Sequence, residues 1–116
     1  MTFGVMFHHF HDHFHKKGQG SISKNEFINI ISFLKKKYIL NNADVYIKKI
    51  LKKNITTKDI CLTFDDSLKC QMDIALPILK KEKIKAFFFV YNGAFKDNPD
   101  NLEIFRYFRN IKYQNI

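Results

Sequence analysis

Two adjacent carboxylates are the groups in this sequence best placed for chemistry. Asp65 and Asp66 directly follow the apolar run of residues 60–64, and an unpaired carboxylate is costly to bury in an apolar interior. One carboxylate of such a pair can bind a divalent cation while the other, close to a metal-bound water, acts as a general base. The structural alternative is that Asp66 or Ser67 caps the following helix and Asp65 is solvated. The spacing is compatible with both interpretations.

Five histidines lie between residues 8 and 15. Those at every second position from 9 to 15 would share one face of an extended chain, where neutral imidazoles bind zinc, nickel or copper. Alternatively, His8 or His9 lines a pocket with the carboxylates. A third interpretation is a polar surface loop in which Phe10 and Phe14 are the packed residues. The two cysteines, Cys61 and Cys70, are too few for a disulfide framework, and we predict that they are small core residues.

The elements that must position these groups alternate between strands and helices. Three apolar runs without polar alternation predict buried strands, at residues 2–7, 60–64 and 85–91. Apolar residues at helical spacing predict helices over residues 23–37, from 41 to about 54, 67–82, and from 102 to about 110. Ser23 and Glu26 have the form of a capping box. Pro77 must kink or divide the third helix.

Strands separated by helices indicate parallel pairing in an α/β sheet or barrel. Chemistry in such folds gathers at the carboxyl ends of the strands. His8 and His9 end the first predicted strand, Asp65 and Asp66 the second, and Tyr91 with Asn92 the third. We therefore expect these residues to meet at one edge of the sheet.

Three segments around the carboxylates resemble the first motif block of the polysaccharide deacetylase family, also called the NodB-homology domain. The segments are CLTFDDS at 61–67, DIALPILKK at 73–81 and IKAFFFV at 84–90. The family block has the form TFDDG, some residues, then ALPILKKYGIKATFFV. The resemblance covers residues 60–91, and the opening residues 4–9 also resemble the first strand of many members, which ends in Tyr-His or Phe-His.

The resemblance implies a partial (β/α) barrel of the polysaccharide-deacetylase type and an enzyme of the hydrolase class. Such an enzyme would cleave an N-acetyl group or another carbon–nitrogen amide with the help of a divalent metal, for which zinc is the expected ion. Carried over by position, Asp65 is the catalytic base and Asp66 a metal ligand, with His8 and His9 as possible pocket residues. The expected substrate is a carbohydrate or a small amide.

Two departures from the family pattern bear on activity. The family completes its metal site with two histidines in a block of the form His-Ser/Thr-x-x-His beyond the third strand, whereas no histidine follows His15 here. We therefore expect residues 1–116 to be the N-terminal portion of one deacetylase domain, truncated before that block and weak or inactive alone. Ser67 stands where the family usually has glycine.

The charge suggests a second class of function. Lys and Arg number 20 against 11 Asp and Glu, a net charge of +9, which fits a small protein that binds nucleic acid or an acidic polymer. The absence of a nucleic-acid-binding signature disfavours that alternative, and a His-rich metal-binding protein is a further one. The apolar start is too short for a secretory signal, and no run approaches the roughly 18 apolar residues of a membrane span. We expect a cytoplasmic protein without a membrane partner.

Overall fold

A parallel sheet built around one central strand organises the chain. The computed structural model describes residues 3–91 together with residues 101, 104, 105 and 108. The strands are β1 (Phe3–Phe7), β2 (Phe10–His11), β3 (Ile22–Ser23), β4 (Ile39–Leu40), β5 (Asp59–Phe64) and β6 (Phe87–Phe88). The helices are α1 (Lys24–Lys37), α2 (Ala43–Leu51) and α3 (Leu76–Lys81), the last continuing a π-helical turn over Gln71–Ala75.

Strand β5 pairs in parallel with three neighbours. Along one edge it pairs with β1, with Phe7 opposite Phe64. Its first residues pair with β4 and its last with β6, and β2 pairs with β3 in a separate parallel ribbon. The predicted parallel α/β arrangement is thus confirmed. The described strands form an open sheet, so a closed barrel stays a prediction.

Only the central strand is buried as predicted. In β5 every residue except Thr63 is buried. In β1, by contrast, Phe3 and Met6 are 44% and 57% exposed, and β6 is followed by the exposed residues Phe89 and Val90. The prediction that all three strands are buried on both faces is therefore wrong for β1 and β6. Each of them pairs only with β5 in the described part of the chain, which leaves its other side uncovered.

The core lies on one face of the sheet and is rich in aromatic rings. The ring centroid of Phe7 lies 5.0 Å from that of Phe27 in α1, in an edge-to-face arrangement, and 5.5 Å from that of Phe64 in β5. Phe10 joins the same group, at 5.1 Å from Phe27. Apolar residues of α1 and α3 complete this core. The burial of these rings supplies the largest share of the driving force for folding.

Helices α1 and α2 begin in different ways. The predicted capping box of α1 is confirmed: the Ser23 hydroxyl accepts from the Glu26 N–H at 3.3 Å, and the Glu26 carboxylate accepts from the Ser23 N–H at 2.6 Å. Helix α2 has no side-chain cap. The side chain of Asn42, which precedes it, instead accepts from the Lys85 N–H at 2.8 Å. This bond ties the start of α2 to the approach to β6.

Pro77 divides the third predicted helix, as expected, and the first part is a π-helical turn. Because proline has no N–H to donate, regular α-helical bonding cannot continue across it. The wider turn resolves this, since Leu76 donates its N–H to the Gln71 carbonyl five residues back. Helical structure begins at Lys69 rather than at residue 67, because Asp66 and Ser67 have positive φ angles of 71° and 53°.

The last predicted helix, residues 102–110, lies mostly outside the described residues. Those of its residues that are described, Ile104, Phe105 and Phe108, are helical. In the described part of the chain, no helix is both long enough and apolar enough to cross a membrane.

A buried carboxylate anchors the start of β5. Asp59 is 1% exposed, and its Oδ1 accepts from Lys49 Nζ at 2.5 Å and from Asn41 Nδ2 at 2.8 Å. Its Oδ2 accepts from both the N–H and the hydroxyl of Thr56, each at 2.8 Å. The hydrogen bond from Lys49, followed by those from Asn41 and Thr56, holds the pKa of Asp59 well below its usual range. The network links β5 to α2 and to the segment after β4.

We predict that Asp59→Asn lowers the free energy of unfolding at pH 7 by about 3 kcal/mol, because it leaves Lys49 without its partner and breaks a satisfied network. The folded-state pKa of Asp59 lies below the unfolded value of about 3.9. Its charge therefore stabilises the protein above that value, and the stabilisation is lost as the pH falls from about 4 toward the lowered pKa. Urea unfolding at pH 7 and at pH 3 measures both effects.

The matched control is Asp44→Asn, which removes an exposed carboxylate 3.8 Å from Lys85. We expect it to change stability by less than about 1 kcal/mol. If Asp59→Asn and Asp44→Asn lowered the free energy of unfolding equally at pH 7, the buried network around Asp59 would not stabilise the fold.

Candidate active site

Polar residues that follow β1 and β5 meet at one edge of the sheet. Phe7 and Phe64 are paired, so the residues after them emerge side by side. The His8 imidazole Nε2 lies 3.8 Å from Oδ2 of Asp65 and 3.7 Å from Oδ2 of Asp66. The predicted meeting of the first two strand ends is confirmed for His8 and both carboxylates.

The three side chains are accessible without being fully exposed. His8 is 36% exposed, Asp65 28% and Asp66 30%. The two oxygens of Asp65 differ, because Oδ2 faces His8 while Oδ1 is buried and has no hydrogen-bond partner among the described residues. Such an oxygen keeps its full capacity to accept a hydrogen bond or a proton. Unsatisfied buried groups of this kind are rare in folded proteins and commonly have a functional reason.

A left-handed turn presents the carboxylates. Asp66 and Ser67 both have positive φ, a region that costs an L-residue roughly 1–2 kcal/mol and that recurs at functional sites. The family's glycine at position 67 adopts this conformation at no steric cost. In this chain the Ser67 hydroxyl accepts from the Tyr91 N–H at 3.1 Å. That bond joins the end of the third predicted strand to the site, as expected, and it shows that Ser67 does not act as a helix cap.

His9 lies beside His8. The two imidazole rings are 6.5 Å apart and inclined by only 14°. The His9 carbonyl accepts from the Ile22 N–H at 3.1 Å, which joins the chain after β1 to the small β2–β3 ribbon. His9 thus flanks the group formed by His8 and the carboxylates.

The chain turns within the other histidines and does not run extended past His11, so the alternation that would place them on one face does not apply. Strand β2 ends at His11, and the Asp12 carboxylate accepts from the Phe14 and His15 N–H groups at 2.8 Å each, which turns the chain. His15 pairs with Asp73 at 2.8 Å. Phe14 is 82% exposed, so of the two aromatic residues expected to pack in this loop only Phe10 does.

The donors at the site are of the types that zinc uses, carboxylate oxygen and imidazole nitrogen. Across residues 3–91 and the few described after them, however, no group of three or more His, Cys, Asp or Glu side chains is arranged to hold a metal ion. The described residues therefore do not form a metal site by themselves. Of the ligand positions that the family resemblance implies, only Asp66 lies among them.

The cysteines are core residues, as predicted. Cys61 and Cys70 are both buried and form no disulfide, and burial raises the pKa of the Cys61 thiol. The sulfur of Cys70 accepts from the Phe10 N–H at 3.4 Å. Neither cysteine contributes to the site formed by His8 and the carboxylates.

Comparison with known proteins agrees with the motif. A family model described as polysaccharide deacetylase matches residues 52–107, a segment that includes β5, both site carboxylates and β6. Over this segment, which is just under half of the chain, the sequence is similar to the polysaccharide deacetylase family. A search of curated proteins found no match.

The fold is similar to that of a solved de-N-acetylase from Aggregatibacter actinomycetemcomitans, with a TM-score of 0.60. The sequence identity is 24%, and the match covers 73% of this chain and 35% of that protein. The chain thus spans about a third of that enzyme's length. At this identity the likeness establishes a shared fold.

The left-handed turn can be tested with two substitutions at one position. We predict that Ser67→Ala lowers the free energy of unfolding by about 1 kcal/mol through loss of the bond from Tyr91. Ser67→Gly loses the same bond but relieves the backbone, so the glycine variant should be more stable than the alanine variant by about 1 kcal/mol. Urea unfolding of both variants measures the difference.

Ser32, exposed in the middle of α1, provides the control. There the order should reverse, with alanine more stable than glycine by about 1 kcal/mol. Alanine proving more stable than glycine at position 67 as well would contradict a left-handed conformation there.

Proposed function

We propose that this chain is the N-terminal portion of a deacetylase-like hydrolase domain that cleaves a carbon–nitrogen amide, with an N-acetylated carbohydrate as the substrate class. The observation that carries the proposal is the convergence of His8, Asp65 and Asp66 at the carboxyl edge of a parallel sheet, within the segment that matches the family. This edge is where ligands bind in parallel α/β folds.

Asp65 is the proposed base. A general base must lie within reach of the water whose proton it takes, and Asp65 is open enough to meet one while keeping an unpaired oxygen. In the proposed reaction the water oxygen bonds to the amide carbonyl carbon and its proton passes to Asp65. The carbon–nitrogen bond then breaks as the leaving nitrogen takes the proton held by Asp65, which gives an amine and a carboxylic acid that ionises to a carboxylate.

Asp66 is proposed as one ligand of a divalent ion, with zinc expected. When bound, such an ion polarises the amide carbonyl and lowers the pKa of a coordinated water. The family's other two ligands are histidines, and no histidine follows His15 in the sequence. This is consistent with residues 1–116 being part of a larger domain, as is the 35% share of the similar de-N-acetylase that the chain covers.

His8 and His9 are proposed as pocket residues. The His8 imidazole faces both carboxylates at 3.7–3.8 Å and can orient them or a water between them through its ring nitrogens. His9 extends the same wall, with its ring nearly parallel to that of His8.

The net positive charge does not favour a second function. Basic residues occupy the last turns of the three α-helices, where they complement the helix dipole. These residues are Lys35, Lys36 and Lys37 in α1, Lys48 and Lys49 in α2, and Lys80 and Lys81 in α3. Their positions are explained by helix stability.

Zinc titration followed by NMR tests the proposed ligand. In a hybrid that joins this chain to the part of a polysaccharide deacetylase carrying the histidine block, we expect zinc to shift the backbone amide resonances of residues 8 and 65–67, and Asp66→Ala to abolish those shifts because it removes the ligand. Asp73→Ala is the control, since it alters the carboxylate paired with His15 in the neighbouring loop and should leave the shifts at residues 8 and 65–67 intact. Shifts centred on residues 11–15 that survive loss of both Asp65 and Asp66 would instead support a His-rich metal-binding protein.

Acetate release from N-acetylglucosamine oligomers tests the reaction. We expect the 116-residue chain alone to be weak or inactive with zinc. Joined to the part of a polysaccharide deacetylase that carries the histidine block, it should release acetate, and Asp65→Asn should slow that release by about 10²–10⁴-fold. Asp44→Asn, at an exposed position in the first turn of α2, should leave the rate unchanged. A folded, zinc-binding hybrid that releases no acetate would contradict the proposed function.

A further inference from the structure

A buried amide joins the two chain segments that carry the site. The Gln71 side chain is completely buried. Its Nε2 donates to the carbonyl of His8 at 2.9 Å and to the carbonyl of Asp65 at 2.5 Å. A single nitrogen therefore bridges the backbone of the proposed pocket histidine and the backbone of the proposed base.

The bridge lies where the pairing of the two strands stops. Strands β1 and β5 end at Phe7 and Phe64, and the Asp65 N–H donates to the Phe7 carbonyl at 3.3 Å just past their last paired residues. Beyond that bond, the two chain segments are linked by the hydrogen bonds that the Gln71 amide donates to the carbonyls of His8 and Asp65. Without it, the carbonyls of His8 and Asp65 would lose a buried donor.

The π-helical turn aims Gln71 at this point. Gln71 is the first residue of the turn, and its own N–H donates to the Leu68 carbonyl at 3.0 Å. The turn accommodates Pro77, and single π-helical turns recur at functional sites. The π-helical turn before Pro77 thus also directs the Gln71 side chain toward the ends of β1 and β5.

The two polar atoms of the Gln71 side chain differ in their surroundings. Gln71 Oε1 is buried and has no hydrogen-bond partner among the described residues, as is also the case for Oδ1 of Asp65. An unpaired buried acceptor is unfavourable. The amide is therefore held through its donor, which satisfies the carbonyls of His8 and Asp65 while its own oxygen stays without a partner among the described residues.

We infer that Gln71 is a positioning residue of the proposed deacetylase site. By holding the carbonyls of His8 and Asp65 together, it sets the spacing between the His8 imidazole and the carboxylates of Asp65 and Asp66. The functional meaning of this role rests on the proposed function, whereas the bridge itself does not.

The bridge can first be tested in the unaltered 116-residue chain. The side-chain amide protons of Gln71 should exchange slowly with solvent and should show NMR couplings across hydrogen bonds to the carbonyl carbons of His8 and Asp65. Rapid exchange of these protons, with no such couplings, would overturn the inference without any substitution being made.

Gln71→Met then removes the donors while nearly preserving side-chain length and volume. We expect hydrogen exchange of the Asp65 amide to accelerate by about tenfold or more relative to the Leu62 amide in the middle of β5. The ¹⁵N resonances of the His8 imidazole should also shift at constant pH. Ile74→Val, a buried change in the same π-helical turn, is the control and should accelerate exchange of both amides in parallel without moving the His8 resonances. If Gln71→Met behaves like Ile74→Val, Gln71 is only a stabilising residue.

A further readout separates this inference from the proposed function. In an acetate-releasing hybrid, Gln71→Met should lower kcat by about tenfold with little change in KM, because misplacement affects the reacting geometry more than binding. If the bridge is confirmed but no form releases acetate, the proposed hydrolase function fails and the structural link stands. If acetate is released and kcat is unaffected by Gln71→Met, the positioning role fails.

Discussion

The parallel register between β1 and β5 is the constraint on which the site depends. With Phe7 opposite Phe64, His8 emerges beside Asp65 and Asp66. A strand advances about 3.3 Å per residue and alternates its side chains between faces. A slip of one residue would therefore move the imidazole away from both carboxylates and turn the phenyl ring of Phe7 out of the core. The distances of 3.7–3.8 Å at the site are in this sense set by strand pairing.

Packing on both faces of the sheet maintains that register. On one face the rings of Phe7, Phe27 and Phe64 interlock at 5.0–6.1 Å. On the other face Gly4 lies close to Thr63, whose methyl carbon would be 3.3 Å from any Cβ at position 4. A ring cluster permits few alternative alignments, and a larger residue at position 4 would press directly on β5. By fixing the register of β1 and β5, the core thus determines where His8, Asp65 and Asp66 lie, although these residues are not part of the core.

The two ends of β5 illustrate a division between stability and function. At its beginning, Asp59 is buried with donors on both oxygens, the arrangement expected of a stabilising buried charge. Just past its end, Asp65 keeps a buried oxygen without a partner among the described residues, and the backbone continues through two residues with positive φ. Two features that cost stability, an unpaired buried oxygen and a left-handed turn, thus lie on the side where the family motif lies. Fold similarity alone would not distinguish the two ends, because function depends on the site rather than on the fold.

Local patterns in the sequence determine a large part of this protein. The apolar run of β5, the capping box at Ser23, the division at Pro77 and the carboxylate pair with its family motif are all features of contiguous residues, and periodicity or residue type reveals such features directly. The strand order also predicts that His8 and the carboxylates meet at one edge of the sheet. Tertiary structure alone decided how closely the His8 imidazole approaches them, that Asp59 is held by donors from separate segments, and that Gln71 bridges two strand ends. It also left β1 and β6 partly exposed. Each of these outcomes depends on contacts between residues far apart in sequence, and residue type and spacing do not encode which distant groups meet.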